Sequence, residues 1–376
     1  MINKNIIALG FVSFFTDLAS AVVTSILPLY IVYILKEGVD KLGFVVGLAT
    51  FVSYGFRFVF GYFSDKYQIV KPFVVSGYLL SAVTKPLLYF ASSWESIAGL
   101  RGLERVGKAV RSASKDTLIS EYSDKNKSGK TFGFHKTMDI AGELFGSIIA
   151  FFALFYFGES KEVFKNLFAF TLIPGILSVM IVIFFVKDAP YKKKVTSKLS
   201  FKDDKTLLPT LLIFFAFTFF MFNDSFFLIK AKESGYSLLY IPLLVIVLNL
   251  TQTIFSYFFG IKIDRIGAKK VLLIAFVFGI ISMGFLYFDF IIFGFVSLGV
   301  FLVASVNAIR AYISKNAKNK GSMFGVFYAG VAISGALGAV FTGMIWKYFG
   351  ENIATLVSLF ALFLLLVFFI FTRKSY

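Results

Sequence analysis

The sequence predicts an all-α integral membrane protein whose twelve transmembrane helices form two six-helix bundles. Hydrophobic residues make up 58% of its 376 residues, charged residues make up 16%, and the mean hydropathy is +0.83. Soluble domains are far less apolar than this. In addition, apolar runs of the length needed to span a bilayer recur along the chain, and short segments of the first half reappear in the second.

The apolar runs follow one another with short connections, which leaves no room for a soluble domain. The N-terminal bundle is predicted to cover residues 1–186 and the C-terminal bundle residues 206–376, and the polar segment 187–205 links them. The predicted spans are 6–34, 43–63, 72–92, 94–112, 131–157, 163–186, 207–230, 237–261, 270–288, 290–310, 321–346 and 351–371.

The distribution of Lys and Arg predicts that both termini are cytoplasmic. Cytoplasmic loops are enriched in these residues, and most of the 38 in this chain fall on the side of the membrane that the N-terminus shares. The net charge of +17 is then explained by topology, and nucleic acid is not expected as a partner. The expected location is the cell membrane, as a multi-pass protein in contact with the lipid bilayer.

Three short segments recur in the two halves. GYFSDKYQIVK at 61–71 matches GIKIDRIGAKK at 260–270, KAVRS at 108–112 matches NAIRA at 307–311, and SGKTFGF at 128–134 matches KGSMFGV at 320–326. Six spans are an even number, so both halves enter the membrane in the same orientation. The repeat is therefore predicted to be parallel, about an axis along the membrane normal.

The repeated loop resembles G-x-x-x-D-[RK]-x-G-x-[KR]-[KR], the signature loop of the major facilitator superfamily, although Gln68 replaces the second Gly of the first copy. RGLERVG at 101–107 is similar to the span-4 motif of that family, and GELFGS at 142–147 is similar to the span-5 motif of its exporters. The run from 101 to 147 resembles a prokaryotic branch whose substrates are largely unassigned. Residues that the repeat and the resemblance assign to a gate are Gly61, Asp65, Lys66, Lys71, Arg111, Gly260, Asp264, Arg265, Gly267 and Arg310.

Charged residues are concentrated at membrane depth in the N-terminal half. An unpaired charge there costs at least about 2.5 kcal/mol, so these side chains should face a cavity or find partners. Residues 101–115 form a charged stripe along span 4, and Asp139 and Glu143 share a face of span 5. The resemblance implies that spans 1, 4, 7 and 10 line the cavity. Candidates for binding the substrate or the coupling ion are Asp17, Arg57, Arg101, Glu104, Arg105, Asp139, Glu143, Asp224 and Asn307.

Several of these patterns also have a purely structural interpretation. Residues 101–105 either line a solvated cavity, balanced chiefly by Glu143, or form a structural ion-pair network. The lower stripe, 108–116, is interpreted as the cytoplasmic end of span 4, where long side chains reach the interface. His135 is interpreted as a surface residue. The glycines of spans 5 and 11 are expected to let helices pack closely.

The resemblance implies a secondary transporter that carries a small molecule by alternating access and acts as a monomer. No ATP-binding motif is present, so a proton gradient is expected to drive it, and the surplus of basic residues at depth favours an anionic solute. One alternative is a proton-coupled exporter of cationic or amphipathic compounds, and another is a non-transporting receptor or assembly protein. An enzyme is not expected, because the chain has one His, no Cys and no Walker or H-E-x-x-H motif, and neither a cofactor nor a metal is expected.

Overall fold

The computed structural model describes residues 3–67, 70–123, 128–188 and 202–374, and within these ranges it contains helices and no strands. The α-helices are α1 Lys4–Leu29, α2 Val39–Tyr67, α3 Lys71–Thr84, α4 Trp94–Tyr122, α5 Ser128–Phe157, α6 Lys161–Phe170, α7 Leu172–Phe185, α8 Leu208–Phe220, α9 Asp224–Glu233, α10 Ile241–Ile266, α11 Ala268–Tyr287, α12 Ile291–Asn316, α13 Lys320–Phe349 and α14 Glu351–Lys374. The prediction of an all-α fold is confirmed.

Eleven helical segments of the described chain are long and apolar enough to cross a membrane. The remaining predicted span is α4, which has 29 residues but carries the charged stripe. At 1.5 Å per residue this helix is about 43 Å long, which is sufficient to span the hydrocarbon core. Helix α4 therefore differs from the other spans in its composition and not in its length.

Most helices extend beyond the apolar runs that predicted them. Helix α2 ends at Tyr67 instead of near residue 63, α4 ends at Tyr122 instead of near 112, and α12 ends at Asn316 instead of near 310. Each of these extensions contains polar residues, including at least one Lys, which is a good helix former. Hydropathy thus located the apolar part of each helix and missed its charged ends.

Some spans are interrupted where the backbone cannot continue as a regular α-helix. Helix α3 ends at Thr84 and is followed by a 3₁₀ turn, Pro86–Phe90, because proline has no N–H for the next helical hydrogen bond. Helices α8 and α9 are separated at residues 221–223. Asn223 caps α9 by accepting a hydrogen bond from the backbone N–H of Ser225 at 3.0 Å.

The chain divides into two compact units. The first comprises Met1–Glu37, Leu48–Val195 and Leu238–Ile246, and the second comprises Gly38–Gly47, Thr196–Ser237 and Val247–Tyr376. The start of α2 belongs to the second unit because Gly43 and Gly47 pack against the backbone of α13 at Ala339 and Ala336. The predicted domain division at residues 187–205 stays a prediction.

Close helix packing in each unit depends on glycine. In the first unit, a Cβ atom at Gly142 or Gly146 of α5 would collide with the backbone oxygen of Phe14 or Leu18 of α1. In the second unit, a Cβ atom at Gly338 of α13 would collide with the backbone of Phe219. The prediction that the glycines of spans 5 and 11 are close-packing positions is confirmed at these three sites.

The core of the second unit contains many aromatic rings. Phe217 of α8 stacks on Phe276 of α11 with ring centroids 4.1 Å apart and an interplanar angle of 9°. Phe301 of α12 and Phe369 of α14 contact the same pair at 5.5 and 5.2 Å. This cluster joins four helices through rings alone.

Candidate functional site

Helices α1 to α5 of the first unit surround a polar cavity of about 200 Å³. Nine of the thirteen residues that line it are charged, so it differs in character from the apolar helix faces around it. The lining residues are Ser13, Thr16 and Asp17 of α1, Arg57 of α2, Tyr78 of α3, Lys108, Arg111, Ser112, Lys115 and Asp116 of α4, and Lys136, Asp139 and Glu143 of α5.

Helical periodicity explains why α4 and α5 supply most of the charge. Lys108, Arg111 and Lys115 lie at spacings of three and four residues, so they occupy successive turns of one face. Asp139 and Glu143 repeat the pattern on α5. Arg111 is only 5% exposed. The interpretation of residues 108–116 as side chains that snorkel to the interface is therefore wrong for Arg111, which is enclosed within the bundle.

Arg111 is held in place by α3. Its Nη1 donates a hydrogen bond to Ser81 Oγ at 2.6 Å and to the carbonyl oxygen of Gly77 at 3.5 Å. Its guanidinium carbon lies 4.7 Å from the ring centroid of Tyr78, a geometry that favours a cation–π interaction. The approach of α3 and α4 at Gly77 and Gly107 leaves no room for a Cβ atom at either position.

A buried polar chain joins α4, α1 and α5 beside the cavity. Lys115 Nζ donates to Ser13 Oγ at 3.3 Å, and Ser13 Oγ lies 2.9 Å from His135 Nε2. His135 Nδ1 is 3.4 Å from Asp139 Oδ1. With Lys115 donating to Ser13, the serine hydroxyl can donate to Nε2, which places the imidazole proton on Nδ1, toward Asp139.

His135 is 5% exposed. The interpretation of this residue as a surface histidine is therefore wrong. Sequence reasoning placed it next to a cytoplasmic loop, but α5 begins at Ser128, so His135 already lies two turns inside the helix. Its i, i+4 spacing from Asp139 was the available signal.

Arg101, Glu104 and Arg105 form a second charged cluster on α4. Arg101 Nη1 is 2.8 Å and Arg105 Nε is 3.4 Å from the same oxygen of Glu104, Oε2. Glu104 is 1% exposed, and its other oxygen has no hydrogen-bond partner among the described residues. The carboxylate that contacts both guanidinium groups thus comes from the same helix. Glu143, which was expected to balance them, instead lines the cavity.

Lys85 is a buried cation that the sequence-based set of candidates omitted. It is 2% exposed and donates from Nζ to the carbonyl oxygen of Thr16 at 3.3 Å. It also lies within electrostatic range of Glu104 and Asp17. Lys85 therefore connects the Arg101–Glu104–Arg105 cluster to the α1 wall of the cavity.

The structure brings four of the predicted site residues together at the cavity wall, namely Asp17, Arg57, Asp139 and Glu143. Arg57 donates from Nη2 to Ser112 Oγ at 3.5 Å. The lining residues Ser13 and Thr16 were missed, although Ser13 precedes Thr16 by three residues and Asp17 by four, spacings that share a helical face.

Two predicted site residues belong to the second unit. Asp224 is the first residue of α9, where its Oδ1 accepts from the backbone N–H of Ser225 at 2.9 Å. A carboxylate at this end of a helix is stabilised by the helix dipole. Asn307 is half-buried on α12. The structure thus gives Asp224 a capping contact, and the substrate or coupling role of both residues stays a prediction.

The predicted gate residues are only partly described. Gly61, Asp65 and Lys66 lie on α2, but the side chains of Asp65 and Lys66 are outside the described part of the structure, as is Gln68. Lys71 donates from Nζ to the carbonyl oxygen of Ile183 at 2.9 Å.

The second copy of the gate loop is described in full. Gly267 adopts φ +87° between α10 and α11, a conformation that glycine accepts without strain. Gly260 is half-buried on α10, and Asp264, Arg265 and Arg310 are exposed. A gating role for either copy stays a prediction.

The cavity can bind groups of either sign. Guanidinium and ammonium groups donate charge-assisted hydrogen bonds to a carboxylate or phosphate. Carboxylates can accept hydrogen bonds from an ammonium group or take up a proton. Within the described residues, no cluster of His, Cys, Asp and Glu has the arrangement of a metal site.

Comparison with known proteins shows the same architecture in characterised transporters. A crystal structure of the nucleoside transporter NupG superimposes with a TM-score of 0.80 at 13% identity, covering 99% of this chain and 100% of the other. A crystal structure of a D-xylose–proton symporter superimposes with a TM-score of 0.73 at 15% identity, covering 97% and 95%. These identities are low, so the likeness shows a shared fold only.

Sequence comparison identifies the family. An uncharacterised MFS-type transporter of Methanocaldococcus jannaschii is 33% identical over 96% of this chain and 95% of its own length. The profile of the Major Facilitator Superfamily matches residues 9–250 and 210–376, which together include nearly the whole chain. With its signature loops, its helical fold and these matches, the chain belongs to the Major Facilitator Superfamily of membrane transporters.

Proposed function

We propose that this protein is a proton-coupled secondary transporter that moves a small anionic solute by alternating access. The observation that carries the proposal is the cavity of the first unit, which is lined by nine charged side chains, seven of them buried or half-buried. Burying so many charges is costly unless they are used or paired. In a superfamily of transporters, these charged side chains can bind a solute and a proton.

The preference for an anion is supported by the composition of the cavity wall. Five of its charged residues are basic and four are acidic. Lys108, Arg111 and Lys115 are adjacent on α4, and Arg57 faces the same space from α2. Arg presents a planar donor fork that suits carboxylate or phosphate groups. A solute anion would thus meet several donors from two helices.

Asp17 is the residue that we propose to carry the coupling proton. It lies on the α1 wall of the cavity, opposite the basic residues of α4. Asp17→Asn should abolish accumulation driven by a pH gradient but leave solute exchange intact, because exchange requires no net proton movement. Full accumulation by the mutant would exclude Asp17 from coupling.

The membrane topology completes the proposal. We propose that both termini face the cytoplasm, that residues 1–186 and 206–376 are the two six-helix halves, and that the protein acts as a monomer in the cell membrane. The density of Lys and Arg in segment 187–205 supports this orientation. Labelling of single cysteines introduced at positions 192 and 36 would test it, because a membrane-impermeant reagent on intact cells should modify only position 36.

The function can be tested on purified protein. A thermal-shift screen of anionic, cationic and neutral solutes would identify binders, and uptake into proteoliposomes with and without an inward pH gradient would measure coupling. We expect an anionic solute to accumulate only with the gradient. Gradient-independent uptake would refute proton coupling, and no uptake of any solute would favour the receptor or assembly alternative.

Export of cationic or amphipathic compounds is the second candidate. It is favoured by the three carboxylates of the cavity wall on α1 and α5, Asp17, Asp139 and Glu143. The same proteoliposome assay separates the two functions, since an exporter of this kind would exchange protons for a cationic solute and would ignore anions.

A further inference from the structure

The charges in the cavity of the first unit are segregated by helix. On the α2 and α4 side, the enclosed charges are the basic residues Arg57, Lys108, Arg111 and Lys115, and on the α1 and α5 side they are the acidic residues Asp17, Asp139 and Glu143. The two exceptions, Asp116 of α4 and Lys136 of α5, are exposed. The cavity therefore has a basic wall facing an acidic wall.

Some of these charges already have partners within the bundle. Arg111 donates to Ser81, Lys115 donates to Ser13, and Asp139 lies next to His135. In contrast, Lys108 on the basic wall and Asp17 and Glu143 on the acidic wall make no side-chain hydrogen bond or close ion pair to another described residue. The ammonium group of Lys108 and the carboxylates of Asp17 and Glu143 are therefore available to a ligand, and Asp139 Oδ1 also has no hydrogen-bond partner among the described residues.

Thr16 adds a neutral group to the same space. It is 3% exposed and lines the cavity, and its hydroxyl has no hydrogen-bond partner in the described part of the chain. A buried hydroxyl without a partner costs about 1–3 kcal/mol. A polar ligand in the cavity would relieve that cost.

We propose that the cavity binds a small zwitterion, a solute that carries one ammonium group and one carboxylate or phosphate group. This inference rests on the proposed transport function and revises its substrate class, because the anionic group of the solute is joined to an ammonium group and the solute carries no net charge. The anionic group would lie on the α4 wall at Lys108, and the ammonium group would lie between Asp17 and Glu143. A solute with a single charge would satisfy one wall and leave the charges of the other without a partner.

The size and charge of the cavity limit the solute further. The cavity volume of about 200 Å³ lies below the range of about 300–1,000 Å³ that is typical of ligand pockets. The solute should therefore be small. A zwitterion of that size is neutral overall, so its passage moves no net charge through the bilayer core, where charge is costly.

The test uses the full-length protein in lipid nanodiscs and sets of three matched solutes. One set is 4-aminobutyrate, butyrate and butylamine, another is β-alanine, propionate and propylamine, and further sets extend to the other small amino acids and to aminoalkyl phosphates. We expect at least one zwitterion to bind about tenfold or more tightly than either of its singly charged analogues.

Two variants assign the orientation of the solute. Glu143→Gln should weaken binding of the zwitterion about tenfold and leave binding of the matched anion unchanged, whereas Lys108→Gln should weaken both. Glu95→Gln and Lys161→Gln, at exposed positions outside the cavity, are the matched controls and should change neither. Melting temperatures of all four variants establish that each is folded.

The outcomes separate this inference from the proposed function. Uptake of a simple anion, with no advantage for its amino derivative, would overturn the zwitterion assignment and leave the anion transporter standing. Equal loss of zwitterion and anion binding in Glu143→Gln would likewise overturn it. If no solute of any class is taken up, the proposed transport function itself is wrong.

Discussion

The two units share the same helical repeat, but equivalent positions carry polar side chains in the first unit and apolar side chains in the second. The repeat that aligns segments 128–134 and 320–326 pairs His135 of α5 with Phe327 of α13. In the first unit His135 contacts Ser13 of α1 through a hydrogen bond, and in the second unit Phe327 stacks on Phe214 of α8 at 5.9 Å. Equivalent helix pairs are thus joined by a polar contact in one unit and an aromatic contact in the other.

The same contrast holds for α4 and α12. The repeat pairs Arg101, Glu104 and Arg105 of α4 with Val300, Val303 and Ala304 of α12. An apolar set is therefore compatible with this helix position, which means that the fold does not require the ion pairs of α4. The buried charge of α4 is thus not explained by the helical repeat alone.

The largest effect is expected from breaking the α4 cluster. Glu104→Val should leave Arg101 and Arg105 without their carboxylate and cost about 3–5 kcal/mol of stability. The triple variant Arg101→Val, Glu104→Val and Arg105→Ala, which copies α12, should recover most of that loss. Unfolding in mixed detergent micelles measures both. A triple variant as unstable as the single one would show that the charges are structural.

Breaking the aromatic core of the second unit should have a smaller effect. Phe217→Ala removes the stack on Phe276. Lipid is as apolar as the protein core, so the cost is mainly the lost packing, about 1–3 kcal/mol. The melting temperature should fall while binding of the solute to the first unit is unchanged. Phe217→Leu is the conservative control. A loss of solute binding in either variant would contradict our expectation that the aromatic core of the second unit contributes to stability and not to binding.

Replacing the polar contact between α1 and α5 with an aromatic residue should destabilise the first unit by as much as Phe217→Ala destabilises the second, or by less. His135→Phe introduces the residue of the second unit and removes the partner of the Ser13 hydroxyl, at a cost of about 1–2 kcal/mol. Adding Ser13→Ala removes the hydroxyl whose acceptor is lost, but it also removes the acceptor of Lys115 Nζ, so only part of the loss should be recovered. Thermal melting of the single and double variants checks this. Additive losses would show that Ser13 and His135 are not coupled.

The smallest effect concerns an ion pair at the end of the second unit. Asp289 accepts from Ser234 Oγ at 2.5 Å and lies 2.9 Å from Lys230 Nζ, and these two contacts lower its pKa. Because the pKa of Asp289 is lower in the folded state than in the unfolded state, the ionised carboxylate stabilises the fold at pH values above its unfolded-state pKa, which is near about 4. This stabilisation is lost as the pH falls through the folded-state pKa. Because Asp289 is largely exposed, the contribution should be below about 1 kcal/mol. The melting temperature of Asp289→Asn should therefore depend less on pH between about 6 and 3 than that of the wild type.

Hydropathy and periodicity were sufficient to predict the order and approximate position of the membrane-spanning segments, but not the breaks that divide some of them into two helices. A run of about twenty apolar residues has few alternatives to a spanning helix, since every backbone group must be hydrogen-bonded within the bilayer. The same patterns indicated that charge is concentrated in the first half, and four of the candidate residues that they gave, Asp17, Arg57, Asp139 and Glu143, line the cavity. Helical periodicity is a local property, so a single sequence is enough to detect it.

The pairing of the charges, in contrast, depends on tertiary structure. Glu104 pairs with an arginine of its own helix, Glu143 lines the cavity, and His135 is buried against Ser13. Spacing along a helix gives the face on which a side chain lies, but the partner depends on how neighbouring helices approach, and that is set by close-packing glycines such as those between α3 and α4. Contacts between residues more than a hundred positions apart, such as Ser13 and His135, have no signature in a single sequence.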